Sequence, residues 1–168
     1  MEGFEALLKL GASPNVRFDD SGTVMHWAAR NKDSRFLQLA LSYGGDPNVL
    51  GGMFEVPPID DTIDADDEVI PANYFLLIDA GTDISIKGKF DSTLLSQAAS
   101  RGRYDVVLDL LNRGAEYQTI NKIGRNPLYY WIAKHEAVYK SDSRIYKNKK
   151  LVEQWFISRG INYKINNK

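Results

Sequence analysis

Apolar residues in this chain fall into short runs of helical period that end, again and again, on glycine. In Tyr104-Asp105-Val106-Val107-Leu108-Asp109-Leu110-Leu111 they follow an i, i+3, i+4 spacing, which draws one stripe along a helix. Five apolar runs lead into a glycine-headed triplet: Gly11-Ala12-Ser13, Gly44-Gly45-Asp46, Gly81-Thr82-Asp83, Gly114-Ala115-Glu116 and Gly160-Ile161-Asn162. The intervals are 33, 37, 33 and 46 residues. Two are equal and two are longer by 4 and by 13, the pattern of one repeating unit that has accepted insertions. Glycine there can take the left-handed conformation that ends a helix. Thr23, Thr93 and Asn126 stand where side-chain oxygens cap the first helix of a unit, and Pro127 suits a first helical turn.

Spacing also locates the insertions. Asn15, Asn48, Ser85 and Gln118 each precede a helix-opening residue (Thr23, Val56, Thr93, Asn126) by eight. The connection ahead of each unit is therefore constant, and the extra residues lie between a unit's first helix and its glycine turn. Each unit is predicted to run helix, loop, helix, turn. No single unit can bury its stripe alone, so the units are expected to stack on one another.

The openings carry a family resemblance. Ankyrin repeats begin their first helix with Thr-Pro-Leu-His-x-Ala. This chain has Thr23-Val24-Met25-His26-Trp27-Ala28-Ala29, then Thr93-Leu94-Leu95-Ser96-Gln97-Ala98-Ala99, then Asn126-Pro127-Leu128-Tyr129-Tyr130-Trp131. Val56-Pro57-Pro58-Ile59 sits at the same offset by register rather than by residue type. The chain thus resembles the ankyrin-repeat family over nearly its whole length. The resemblance implies an all-α, ankyrin-repeat solenoid of helix-loop-helix units joined by β-hairpin-like turns, about four repeats plus a partial N-terminal one. It also implies a single domain over 1–168, with units at about 1–19 (partial), 20–52, 53–89 with the four-residue insert, 90–122, and 123–168 with the 13-residue insert. By the same register Met1 falls near position 15 of a unit. The expectation is that an upstream segment was removed, with an export signal; a natural start at this point is the alternative.

Composition narrows the function classes. The chain has 168 residues, 43% of them hydrophobic, enough for one core and most simply one domain. Lys and Arg number 21 against 22 acids, a net charge of −1 that gives little field for nucleic acid or anionic membrane. With no cysteine there is no disulfide, thiol nucleophile or Cys-based zinc site. No apolar run approaches the roughly 18 residues that span a bilayer.

Few residues suggest chemistry. His26 occupies the signature histidine, which in the family ties neighbouring openings together. His135, beside Lys134 and Glu136, is expected to be a solvated side chain. The run Asp60, Asp61, Asp64, Asp66, Asp67 and Glu68 puts six carboxylates in nine residues, yet it lacks the glycine and terminal Glu spacing of a calcium loop. It is expected to be a solvated loop, with a patch for a basic partner as the second reading. From Lys134 onward nine Lys or Arg stand against three acids, with Tyr139 and Tyr146 among them, but no nucleic-acid motif accompanies them. Ser96 and His135 fall in different units without an Asp to orient them, and no phosphate-cradling glycine loop is present, so no enzyme and no cofactor are expected.

The resemblance does supply a surface. Ankyrin proteins bind partners with hairpin tips and the exposed side of first helices. By register the tips carry Arg17 and Phe18, Met53 and Phe54, Lys87, Lys89 and Phe90, then Ile123 and Arg125. Helix positions add Trp27, Arg30, Gln97, Arg101, Tyr130 and Lys134. Aromatic and arginine side chains are enriched at binding hot spots. Stacked helices at roughly 10 Å give about 40 Å of groove, enough for a standard interface of about 800 Å² per partner. The alternative is that Phe18, Phe54 and Phe90 turn inward and pack the hairpins. Among small bacterial ankyrin proteins some are immunity proteins that occlude a secreted lipase-type toxin. The expected function is therefore a non-enzymatic inhibitor of such a toxin, monomeric when free, with a generic adaptor or host-directed effector as the alternative. Its compartment would be the periplasm, after removal of an export signal, or the cytoplasm.

Overall fold

Every glycine of the 33-residue register ends a helix in the same way. The computed structural model describes residues 1–19 and 22–163. In it, Gly11, Gly44, Gly81, Gly114 and Gly160 have φ between 69° and 92°, left-handed values that favour glycine. The helices before them are α1 (Glu2–Lys9), α3 (Ser34–Ser42), α4 (Ala72–Asp79), α6 (Tyr104–Asn112) and α8 (Arg144–Ser158). The first-helix positions hold α2 (Val24–Arg30), α5 (Leu94–Ser100) and α7 (Pro127–Val138). Side-chain caps start them: Thr93 accepts from the Ser96 amide and Asn126 from the Tyr129 amide, each at 3.1 Å.

The chain is mostly helical. Among the described residues the only sheet is an antiparallel pair, β1 (Arg17–Asp19) with β2 (Gly22–Thr23). Isolated bridges Gly51–Val56 and Lys87–Thr93 stand at the corresponding later tips.

The second first-helix position differs from expectation. Pro58–Thr62 forms one 3₁₀ segment instead of an α-helix. Two consecutive prolines explain it: Pro58 forces Pro57 out of the helical region, to ψ 159°, and neither nitrogen can donate. Residues 63–71 then run as a loop to α4. The 13 extra residues of the last segment are shared: α7 is five residues longer than α5, α8 six longer than α6, and their connection two longer.

Packing follows chain order in two layers. In the first layer α2 contacts the 3₁₀ segment, which contacts α5, which contacts α7. In the second layer α1 contacts α3, α3 contacts α4, and α6 contacts α8. Tyr74 of α4 reaches α6 through a 2.8 Å hydrogen bond to Asp109. Alanine pairs 28/29 and 98/99 let the first layer approach closely, while Leu37, Leu77, Leu110, Val152 and Phe156 fill the space between layers. Side-chain amides stitch the turns: Asn15 Nδ2 donates to Gly44 O (3.0 Å) and its Oδ1 accepts from Asp46 N (2.7 Å). Asn48 repeats this with Gly81 O (3.2 Å) and Asp83 N (2.7 Å). The shorter Ser85 instead bonds Asp83.

Candidate functional site

The hairpin tips and the helix starts beside them hold the exposed apolar side chains expected of a binding face. Phe18 is 53% exposed, Met53 75%, Phe90 76% and Ile123 73%, so the tip residues mostly do not turn inward to pack the hairpins. Phe54 is exposed to a lesser degree, at 37%. Phe90 has φ 60° and neighbours Asp91 at 57°, a left-handed corner that lifts its ring outward. Stacking of the tips is direct, because Lys89 N donates to Phe54 O at 2.7 Å.

The structure brings Arg17 and Lys89 together around Glu55 Oε1, at 2.9 and 3.4 Å. Hydrogen bonds from Arg17 and then Lys89 hold the Glu55 carboxyl below the usual range. Trp27 does not stand free on this face. Its ring packs on Phe4 (5.7 Å) and Phe36 (5.0 Å), and with Phe18 and Val24 it borders a shallow hollow of about 310 Å³. Gln97 is tied to Ser92 Oγ at 2.6 Å.

Arg30 and Arg101 play a part the sequence did not suggest: both grip the acidic run. Arg101 makes a bidentate pair with Asp60, 2.8 Å on each arm, and Arg30 meets Asp61 at 3.0 Å. Arg103, 1% exposed, donates to the carbonyls of Asp64 (2.7 Å) and Val69 (3.0 Å) and to the Asp105 carboxylate (2.7 Å). Arg144 donates to the carbonyls of Asp67 and Ala65. The acidic segment is thus a strap clamped through Asp60, Asp61 and its own backbone, and only part of it is solvated. Asp60 is buried, and burial pushes the Asp61 carboxyl up against the opposing pull of Arg30. Asp64, Asp66 and Glu68 remain on the surface, with Asp67 half-buried. Among the described residues no three acidic or histidine side chains converge as a metal-binding set.

Part of the basic C-terminal stretch is likewise used internally, while Lys134, Lys140 and Lys147 stay exposed. Lys149, fully buried, pairs with Glu136 and with Glu153 at 2.9 Å, and Lys150 meets Glu153 at 2.8 Å. Burial pushes the Glu153 carboxyl up, but hydrogen bonds from Lys150 and Lys149 outweigh it and leave it below the usual range. Lys164 and Lys168 lie outside the described residues.

Neither histidine is placed for chemistry at the surface. His26 accepts from the Thr23 amide at Nδ1 (3.2 Å), which leaves Nε2–H to donate to Val56 O at 2.9 Å, tying one opening to the next. His135 is buried, contrary to expectation: its Nδ1 is 2.9 Å from the Tyr104 hydroxyl, and Trp131, Tyr104 and Tyr139 surround the ring. Burial, with Lys134 and Lys149 nearby, holds its pKa below the ordinary value. The Trp131, His135, Tyr139 spacing of four was the available signal for a packed helix face. Ser96 caps α5 through Thr93.

At the C-terminal end, Asn121, Ile123, Arg125, Pro127, Tyr130 and Trp131 line a groove of about 310 Å³. Lys134 lies 4.5 Å over the Trp131 ring and 5.8 Å from Tyr130. Among the described residues no helix is long and apolar enough to cross a membrane. Compared with protein-family models and with curated proteins, the chain gives no match.

Proposed function

We propose that the chain is a non-enzymatic protein-binding module built as a short ankyrin-type solenoid, and that its hairpin tips contact the partner. The observation that carries this reading is the row of exposed apolar tips: Met53, Phe90 and Ile123, each three residues before the helix-opening position of its unit, with Phe18 five before its own. Leaving such side chains wet on successive tips forgoes burial worth about 25 cal/mol per Å², which a partner would recover. The solenoid part is supported by the equivalent left-handed glycines, the ordered contacts of the two layers and the asparagine stitches.

Within this class the reading is an immunity protein that sterically covers a secreted toxin, a lipase-type hydrolase being the first candidate. That narrower step is carried by the resemblance to small bacterial ankyrin proteins. The test is affinity capture from the source organism with the intact chain and a Met53→Asp/Phe90→Asp variant, followed by mass spectrometry. A stoichiometric hydrolase held by the wild type and lost by the variant is expected. A partner held equally by both, or no partner, would overturn the tip-face reading.

A further inference from the structure

Charge divides the candidate face into two ends. Toward the N-terminus most of its cations are already spent, Arg17 and Lys89 on Glu55, Arg30 on Asp61 and Arg101 on Asp60, with the exposed Lys87 the exception. Toward the C-terminus they are not. Among the described residues Lys122, Arg125 and Lys134 have no carboxylate within ion-pair distance, and all three are exposed. Arg125 borders the groove of Ile123, Pro127, Tyr130 and Trp131, and Lys134 stands over the two aromatic rings.

We propose that this groove binds an acidic segment of the partner protein, with one apolar side chain seated between Ile123, Pro127, Tyr130 and Trp131 and flanking carboxylates on Arg125 and Lys134. The inference rests on the protein-binding reading above and names the chemistry of the segment bound. Three features commit it to that occupant. The groove, at about 310 Å³, is at the small end for ligand sites, the size for a side chain or two and not for a large cofactor. Its walls are mainly apolar and aromatic, which favours an anchoring side chain. Its rim is cationic without internal neutralisation, so a carboxylate brings charge complementarity that a neutral or basic segment lacks.

A nucleic acid would need a track of cations along a phosphate backbone. Among the described residues Lys149 and Lys150 are paired with Glu136 and Glu153, Arg144 is on backbone carbonyls and Arg159 lies 4.0 Å over Trp155, which leaves the two exposed lysines Lys140 and Lys147 of the last segment, fewer than such a track needs.

The test uses three fluorescein-labelled probes: a peptide with a central leucine flanked by three Asp or Glu on each side, the same peptide with Lys in place of the acids, and oligo(dT). Anisotropy is read with the wild type, with Arg125→Glu/Lys134→Glu, and with Lys32→Glu/Lys147→Glu, two exposed lysines that do not line the groove, as the control of equal charge change. Only the acidic peptide should bind. Its affinity should fall at least about tenfold in Arg125→Glu/Lys134→Glu and on raising salt, and should be unchanged in the control. Replacing its leucine by serine should weaken it as well. No binding of the acidic peptide, equal binding to Arg125→Glu/Lys134→Glu, or preferential binding of oligo(dT) would each overturn the proposal. These results are distinct from failure of the protein-binding reading, which is loss of partner capture by the intact chain.

Discussion

Arg103 offers the sharpest energetic test of how the acidic strap is held. Its guanidinium, 1% exposed, is the common donor to Asp64 O, Val69 O and Asp105, so one side chain joins both ends of the 63–71 loop to the start of α6. Arg103→Ala removes all of these at once. Breaking a buried charge from its partners costs about 3–5 kcal/mol. The Asp105 side chain retains 22% exposure and can take up water, which places the expected loss at the lower end, about 3 kcal/mol. For a chain of this size each kcal/mol moves the melting midpoint by roughly 2–4 °C, so a fall of about 6–12 °C is expected. Urea unfolding followed by far-ultraviolet circular dichroism gives the midpoint at unchanged slope. Arg103→Lys keeps the charge but cannot span three acceptors, and should fall between the two. Arg35→Ala, which removes an exposed pair with Asp33, should leave the midpoint where it was. A loss below about 1 kcal/mol for Arg103→Ala, or wild-type stability for Arg103→Lys, would refute the clamp.

Further outcomes follow from single features. Because the folded pKa of His135 is depressed, its contribution to stability is present above about pH 6.5 and is lost as pH falls from there toward the folded value. His135→Gln, which keeps an acceptor for Tyr104, should flatten the stability slope just below about pH 6.5 in denaturant titrations; an unchanged slope contradicts it. A Cβ on Gly88 would press into the carbonyls of Phe54 and Glu55, so Gly88→Ala should cost about 1–3 kcal/mol in urea unfolding, and a neutral result would mean the tips are not stacked as described. Asn48→Ala removes two hydrogen bonds between successive turns and should cost about 1–2 kcal/mol, whereas Ser85→Ala, which removes none between turns, should cost less.

What the sequence revealed and what it hid divide along the range of the interactions. The glycine turns and the constant eight-residue spacing were legible because each depends on local backbone chemistry, whereas the last insertion was placed only in part: five of its 13 residues lengthen α7 itself instead of following it. The 3₁₀ segment was legible in principle, since Pro57-Pro58 forbids an ordinary helix start, but register was given more weight than residue type. The arginine clamp was hidden because its partners are distant in the chain: Arg101 reaches back 41 residues to Asp60 and Arg144 reaches back 79 to Ala65. Lys149 and His135 were hidden for a related reason. A charged or titratable residue reads as solvated until its partners, Glu153 or Tyr104, are known to be adjacent. At the third tip the outward direction of Phe90 comes from a left-handed corner, which sequence does not announce.

The central claim is that the face of the hairpin tips, and not the exposed apolar surface of α8, meets the partner. A photo-crosslinking phenylalanine analogue placed at Phe90 and, separately, at Ile157 of α8 tests it in the producing cells. Both side chains are exposed, at 76% and 68%, so both analogues are equally available to solvent. One discrete adduct from position 90 and none from position 157 is the predicted result. An adduct from position 157 alone, or from neither, would contradict it.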